Sequence, residues 1–152
     1  MLNTYELAPN DILNMIFRLS LALMSGAVIG LEREIRQKPA GLRTHMLVSI
    51  GAAMLTLVPL QISTSASISE VISRVIQGVA TGVGFLGAGE IVRESSQASH
   101  RLEIRGLTSA AAIWVSAALG IVAGCGLWPL SLIATCLTFV ILKFFKTWEN
   151  GK

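Results

Sequence analysis

The chain has 152 residues, a formal net charge of +3 and only 14% charged residues. Soluble domains carry about a quarter charged residues, so this composition and a mean hydropathy of +0.67 exclude an ordinary soluble domain and indicate a membrane protein with one domain. The basic residues lie in short clusters between apolar runs, as orientation signals do, and we expect no nucleic-acid partner. Two cysteines are too few for a disulfide framework or a metal site.

Five apolar segments predict an all-α bundle of five transmembrane helices. They cover residues 12–31, 42–60, 71–91, 107–123 and 127–145. The first segment has no preceding Lys or Arg, so we expect it to remain as a membrane anchor and not to be cleaved as a signal peptide. Arg18 interrupts this segment, and we expect its side chain either to snorkel to the interface or to face the bundle.

The helix of the first span is predicted to continue into water. Two acidic residues each precede a basic residue by four positions, Glu32 before Arg36 and Glu34 before Lys38, which is the favourable order for helical ion pairs. Pro39 disfavours continuation of the helix beyond it.

The second span begins with Arg43 and His45 at its aqueous end. We expect His45 to be an interfacial residue and not a ligand.

Small residues on three of the spans predict close helix packing. Spacings of three to four residues place them on ridges where a neighbouring backbone can approach. The glycines of the third segment predict that it is the central helix of the bundle. The alternative, a phosphate-binding loop, would need a Lys-Ser/Thr pair that is absent here. The predicted packing residues are Gly26, Gly30, Gly78, Gly82, Gly84, Gly87, Gly89, Ser116, Gly120 and Gly124.

The basic residues predict the orientation. If the five spans alternate, ten of the twelve basic residues lie on one side of the membrane. The positive-inside rule then places the N-terminus outside and the C-terminus in the cytoplasm. A four-span alternative, with the third segment re-entrant, fits this charge distribution less well.

Glu90 is the only carboxylate within the predicted spans. A buried carboxylate is costly without a cation, so we expect Glu90 to be paired. Arg93 on the same helix is one candidate, and Arg43, Arg101 and Arg105 from the connecting loops are the others.

Four motifs in order resemble the MgtC/SapB family of bacterial membrane proteins. They are IGLERE at 29–34, PAGLRTH at 39–45, GFLGAG at 84–89, and RGLT at 105–108 followed by WVSAA at 114–118. The resemblance covers residues 12–125 and implies a multi-pass plasma-membrane protein linked to growth under magnesium limitation. In the family's best-known members it also implies survival of pathogens inside host cells and restraint of the rotary ATP synthase.

Two features depart from the family pattern. The family's namesake carries a soluble domain after its last span, which is not expected here, and Glu90 stands where the pattern is usually apolar.

These observations predict a regulator that acts through helix contacts, as a homodimer or with another membrane protein such as the rotary ATP synthase. The alternative is a transporter or channel component for Mg²⁺, which prefers carboxylate and water oxygens. We expect no enzymatic activity and no cofactor, and the ligand spacing does not support a Mg²⁺ site. The candidate functional polar residues are Arg18, Glu32, Arg43, His45, Glu90, Arg93 and Arg105.

Overall fold

The computed structural model describes residues 11–62, 68–96 and 104–145, and this part of the chain consists of helices and short connections. The helices are α1 (Ile12–Ile35), α2 (Leu42–Ile62), α3 (Ile68–Ser96), α4 (Leu107–Gly124) and α5 (Trp128–Val140), with α5 continued by a π-helix over Ile141–Phe145. Each helix coincides with one of the five predicted apolar segments. The prediction of an all-α protein is therefore confirmed for the described residues.

Four of the described helices are long and apolar enough to cross a membrane. They are Ile12–Ile35, Leu42–Ile62, Ile68–Arg93 and Leu107–Gly124, whereas the apolar helix Trp128–Phe144 is shorter. The structure thus supports a membrane protein with four long candidate spans, and the fifth span stays a prediction.

Local interactions explain the ends of α1 and the start of α2. The Asp11 carboxylate accepts a hydrogen bond from the Asn14 N–H at 3.1 Å, which caps the first turn of α1. After α1, Gln37 adopts a left-handed backbone with φ of 53°, so the chain turns away from the helix axis. The Glu34 carboxylate then accepts a hydrogen bond from the Leu42 N–H at 2.8 Å and caps α2.

Helix α2 packs closely against α1 and α4 at glycines. A Cβ atom added to Gly26 of α1 would lie 2.6 Å from the His45 carbonyl oxygen, and one added to Gly30 would lie 2.7 Å from the Leu42 Cα. On α4, a Cβ atom on Gly120 would overlap the carbonyl oxygen of Ser49. Only glycine permits these approaches, so α2 is held between α1 and α4 by backbone contact.

The prediction that α3 is the central helix is wrong. Only 22% of its apolar span is buried, compared with 50% for α4. Gly87 of α3 does meet α4, since a Cβ atom there would lie 3.3 Å from the Ala110 Cβ. The remaining predicted packing glycines of this helix are exposed, and a Cβ atom on any of them would meet nothing within 4 Å: Gly78, Gly82, Gly84 and Gly89.

The difference between these glycines gives a stability prediction. Gly120→Ala places a methyl group against the Ser49 backbone, which cannot move aside as a flexible side chain can, and overpacking of this kind costs about 1–3 kcal/mol. Gly82→Ala adds the same methyl group where there is open space, and its unfolding temperature should equal or slightly exceed that of the wild type. Thermal unfolding of both variants in detergent tests this, and equal losses would contradict the packing described.

Candidate functional site

The interior of the bundle is unusually polar for a membrane protein. Among the residues that the structure describes, twelve polar or charged ones are buried: Arg18, Ser25, Glu32, Arg33, His45, Ser49, Thr56, Glu90, Ser109, Ser116, Ser131 and Thr135. Inside a bilayer, helices gain little from apolar burial, and hydrogen bonds between helices help to hold them together. The buried polar residues are therefore candidates for both packing and function.

The Arg18 side chain is buried at one end of the bundle, beside the last residue of α4. Its guanidinium is 2% exposed and faces the bundle interior, where Nη1 donates to the Gly124 carbonyl oxygen at 2.9 Å and Nε donates to Asn14 Oδ1 at 2.8 Å. Gly124 is the last residue of α4, so Arg18 satisfies a carbonyl without a helical partner and lies at the negative end of that helix dipole. The guanidinium also lies against Gly126, whose φ of 79° favours glycine.

His45 is buried inside the bundle on the first turn of α2, and its position at the membrane interface stays a prediction. Its side chain is fully buried, and Nδ1 is 2.8 Å from Ser116 Oγ on α4. The close approach of α2 to Gly26 and Gly30 carries the first turn of α2 inside the bundle and removes His45 from the surface.

Two further hydrogen bonds join α1 to its neighbours at the level of the bundle core. Ser49 Oγ of α2 donates to the Ala22 carbonyl oxygen at 2.7 Å, and Ser25 Oγ lies 3.2 Å from Ser131 Oγ of α5. Together with the His45–Ser116 contact, they connect α1, α2, α4 and α5.

The last turn of α1 forms a charged cluster with Glu32 at its centre. Glu32 forms an ion pair with Arg36 one turn later, and its Oε2 is 3.7 Å from Nη1 of Arg33. Neither carboxylate oxygen has an aligned hydrogen bond among the described residues, so the attraction is chiefly between charges. Arg33 Nη2 donates to Ser109 Oγ of α4 at 3.0 Å, and Arg36 Nη2 donates to the Lys143 carbonyl oxygen at 3.1 Å. We call Glu32, Arg33, Arg36 and Ser109 the Glu32 cluster.

The sequence pattern predicted the Glu32–Arg36 pair as a solvated helix pair, but in the structure the Glu32 side chain is only 5% exposed. Arg33 and Ser109 were not predicted as functional residues. The spacing between Ser109 and Ser116 is seven residues, two helical turns, which is the signal that could have placed Ser109 on the buried face of α4.

Glu90 has no ion pair among the described residues, and because its candidate partner Arg101 lies outside them, the pairing stays a prediction. Glu90 is 8% exposed, its Oε1 has no hydrogen-bond partner there, and no ion pair joins it to Arg93 or Arg105. Arg105 is exposed, and its backbone N–H donates to Ser95 Oγ at 3.1 Å, so this residue closes the α3–α4 connection. Arg43 is exposed on the first turn of α2, and Arg101 lies outside the described residues.

The described residues form no recognisable metal site. Within residues 11–62, 68–96 and 104–145, no three His, Cys, Asp or Glu side chains come together in a way that could hold a metal ion.

Long apolar helices, close glycine contacts and buried polar residues define an integral membrane protein of the helix-bundle class. The MgtC family model matches residues 19–150, and the chain belongs to that family. The resemblance seen in the four sequence motifs is therefore confirmed.

Three relatives illustrate the range of the family. The chain is 48% identical to Protein SrpB of Synechococcus elongatus over 95% of its own length and 82% of SrpB. It is 40% identical to a protein of Escherichia coli K12 named "Putative magnesium transporter YhiD" over 86% of its own length and 60% of YhiD. It is 39% identical to Protein MgtC of Salmonella typhimurium over 80% of its own length and 48% of MgtC. The chain thus spans about half to two thirds of YhiD and MgtC, and no solved structure matches it.

The Glu32 cluster gives a prediction with an internal control. Glu32→Gln removes the carboxylate between two arginines, so the buried Arg33 loses an opposite charge, and a loss of roughly 3 kcal/mol is expected. The control is Glu70→Gln, because Glu70 and Arg74 form a pair of the same i,i+4 spacing whose side chains are 67% and 76% exposed. Removing such an exposed pair should cost under ~1 kcal/mol.

Thermal unfolding in detergent measures both variants. In a double-mutant cycle with Arg36→Gln, the loss of the Glu32→Gln/Arg36→Gln protein should be smaller than the sum of the single losses. Similar small losses for Glu32→Gln and Glu70→Gln would mean that the cluster is effectively solvated.

Proposed function

We propose that this protein is a non-enzymatic regulator in the bacterial plasma membrane that acts through helix contacts and is linked to magnesium limitation. The observation that carries the proposal is the glycine face of α3, which no other described part of the chain covers. Gly78, Gly82 and Gly89 are exposed on this face, and a Cβ atom on each would have open space around it.

The same face borders an apolar groove between α2 and α3. Gly51 of α2 lines the groove together with Gly78 and Gly82, and the cavity measures about 420 Å³. Leu47 and Leu86 contribute to its walls. Small residues on a helix surface let a second helix approach closely, and this contact supplies the association energy that apolar burial cannot supply in lipid.

We propose a second copy of the chain as the first partner. Two copies inserted in the same orientation can be related by a twofold axis along the membrane normal, which brings the same face of each copy together. The family resemblance adds the rotary ATP synthase as a further membrane partner.

We also propose five spans, with the N-terminus outside and the C-terminus in the cytoplasm. The hydrogen bond from Arg36 to the Lys143 carbonyl oxygen supports this arrangement, because it brings the end of α1 and the end of α5 to the same end of the bundle. Five alternating spans require that proximity. The basic residues of the α1–α2 connection, including Lys38 and Arg43, lie at this end in sequence and favour the cytoplasm.

Reporter fusions test the topology. A fusion at Lys152 should be active only with a reporter that works in the cytoplasm, and a fusion at residue 65 only with a reporter that needs export. The reverse pattern would contradict the proposed orientation, and cytoplasmic activity at both positions would contradict the alternation of spans.

Association is tested with two differently tagged copies of the full chain in mild detergent. Gly82→Leu adds an isobutyl group to the exposed face of α3, so it should reduce co-purification of the two copies at least several-fold while the unfolding temperature of the chain stays near that of the wild type. Cys136→Leu is the matched control, because it adds bulk at an exposed position of α5 and should leave co-purification unchanged.

If Gly82→Leu co-purifies as well as the wild type, the glycine face is not the contact between copies. Recovery of the rotary ATP synthase with wild-type protein, and its loss with Gly82→Leu, would assign the face to that partner.

Magnesium transport is the second candidate function. It is favoured by the name of the E. coli relative and by two carboxylates that are buried among the described residues, Glu32 and Glu90. Purified protein in liposomes loaded with a Mg²⁺-sensitive dye would show flux above that of empty vesicles if this candidate is correct. Loss of that flux in Glu90→Gln would identify the carboxylate used.

A further inference from the structure

A second cleft lies at the end of α1, separate from the glycine face. It measures about 520 Å³ and is lined by Leu31, Glu32, Ile35, Arg36, Phe139 and Lys143. The cleft therefore opens between the last turn of α1 and the end of α5, where the π-helix begins. Its lining combines apolar and charged side chains.

Positive charge dominates this cleft. Arg36 and Lys143 line it together with one carboxylate, Glu32, which pairs with Arg36 and with Arg33. That carboxylate forms ion pairs with both arginines, which reduces its repulsion of an approaching anion. The local charge of the cleft thus favours an anionic ligand.

The two contacts of Arg36 within the chain do not use its whole guanidinium. Its Nε pairs with Glu32 and its Nη2 donates to the Lys143 carbonyl oxygen, while Nη1 takes part in neither contact. The Arg36 side chain is 25% exposed, so the two contacts fix the guanidinium without covering it. Lys143 Nζ lies 5.5 Å from the centre of the Phe139 ring and holds a second positive charge at the same cleft.

The apolar part of the lining indicates what kind of anion fits. Leu31 is 51% exposed and Ile35 is 74% exposed, and Phe139 forms the facing wall on α5. A small soluble anion would gain no binding free energy from contact with these apolar side chains. A phospholipid carries a phosphate for the cationic rim and acyl chains for the apolar wall, and basic clefts between helices at the membrane surface bind acidic headgroups.

We propose that this cleft binds the phosphate headgroup of an anionic phospholipid, with Arg36 and Lys143 contacting the phosphate and Leu31 and Phe139 contacting the acyl chains. The site goes beyond the proposed regulatory function, and it is independent of the contact between copies at α3. Glu32 and Arg33 are positioning residues here, since Glu32 holds Arg36 and Arg33 pairs with Glu32.

Purified full-length protein in a non-ionic detergent tests the proposal. Phosphatidylglycerol should raise the unfolding temperature, and native mass spectrometry should detect the bound lipid. Phosphatidylcholine with the same acyl chains should give a clearly smaller shift, because its headgroup has no net charge. Glycerol phosphate, which has the phosphate without the chains, should give no shift at the same concentration.

The variants assign the site to the cleft. Lys143→Gln should weaken phosphatidylglycerol binding about fivefold, which is the effect of one basic residue near an anionic membrane surface. Arg36→Gln should weaken it at least as much, and Lys143→Gln decides the question if loss of the Glu32 pair prevents Arg36→Gln from folding. Arg74→Gln is the matched control: Arg74 is an exposed basic residue near the start of α3, and its loss should leave lipid binding unchanged.

Three results would overturn the proposal. Equal shifts with phosphatidylglycerol and phosphatidylcholine would show that charge does not select the lipid. Wild-type binding by Lys143→Gln would place the lipid elsewhere. A shift with glycerol phosphate as large as that with the lipid would make the ligand a soluble phosphate compound. None of these results depends on whether two copies associate, so failure of the dimer and failure of the lipid site are distinguishable.

Discussion

The close approach of α2 to α1 and α4 is the constraint on which the rest of the bundle depends. Gly26, Gly30 and Gly120 lie against backbone atoms of α2, at distances that no side chain would allow. Because the helices are this close, short serine side chains can reach a neighbouring helix. The hydrogen bonds of Ser49 and Ser116 therefore follow from the glycine contacts.

The same closeness explains why a charged residue can be buried at each end of the bundle. At one end Arg18 reaches the last carbonyl of α4, and at the other end Arg33 reaches Ser109 at the start of α4. Each guanidinium finds a partner on another helix and does not need to extend to water. Helix α3 lacks such contacts over most of its apolar span, so it has the smallest buried share of the four long described spans.

Much of the fold could be predicted from the sequence, because apolar length and helix period are local properties of the chain. The five segments and the turn near Pro39 are of this kind. Which glycines contact a neighbouring helix could not be predicted. Gly78 and Gly120 have the same local pattern, and only the tertiary arrangement decides which of them meets a neighbour. A ridge of small residues indicates that a close contact is possible, but it does not tell where the partner lies.

The surroundings of the charged residues could likewise not be predicted from the local sequence. The spacing of Glu32 and Arg36 predicted their pairing, but their burial depends on α4 and α5, whose hydrogen bonds to this turn span 76 and 107 positions of the sequence. For Glu90 the cost of a buried charge predicted a partner, and the described residues supply no ion pair. That expectation assumed that every carboxylate within the bundle is neutralised inside the chain.

The bond between Arg18 and the Gly124 carbonyl oxygen has a consequence for the order of assembly. Its two residues are 106 positions apart, as are the two serines that join α1 to α5. When α1 enters the membrane during synthesis, neither partner has yet been made, and the Arg18 guanidinium must remain in contact with water or headgroups until α4 arrives. The bundle can close only after the C-terminal helices are inserted, so a ribosome that stalls before α4 leaves a membrane intermediate with an exposed intramembrane charge. Such an intermediate is the kind of species that membrane quality-control proteases could recognise.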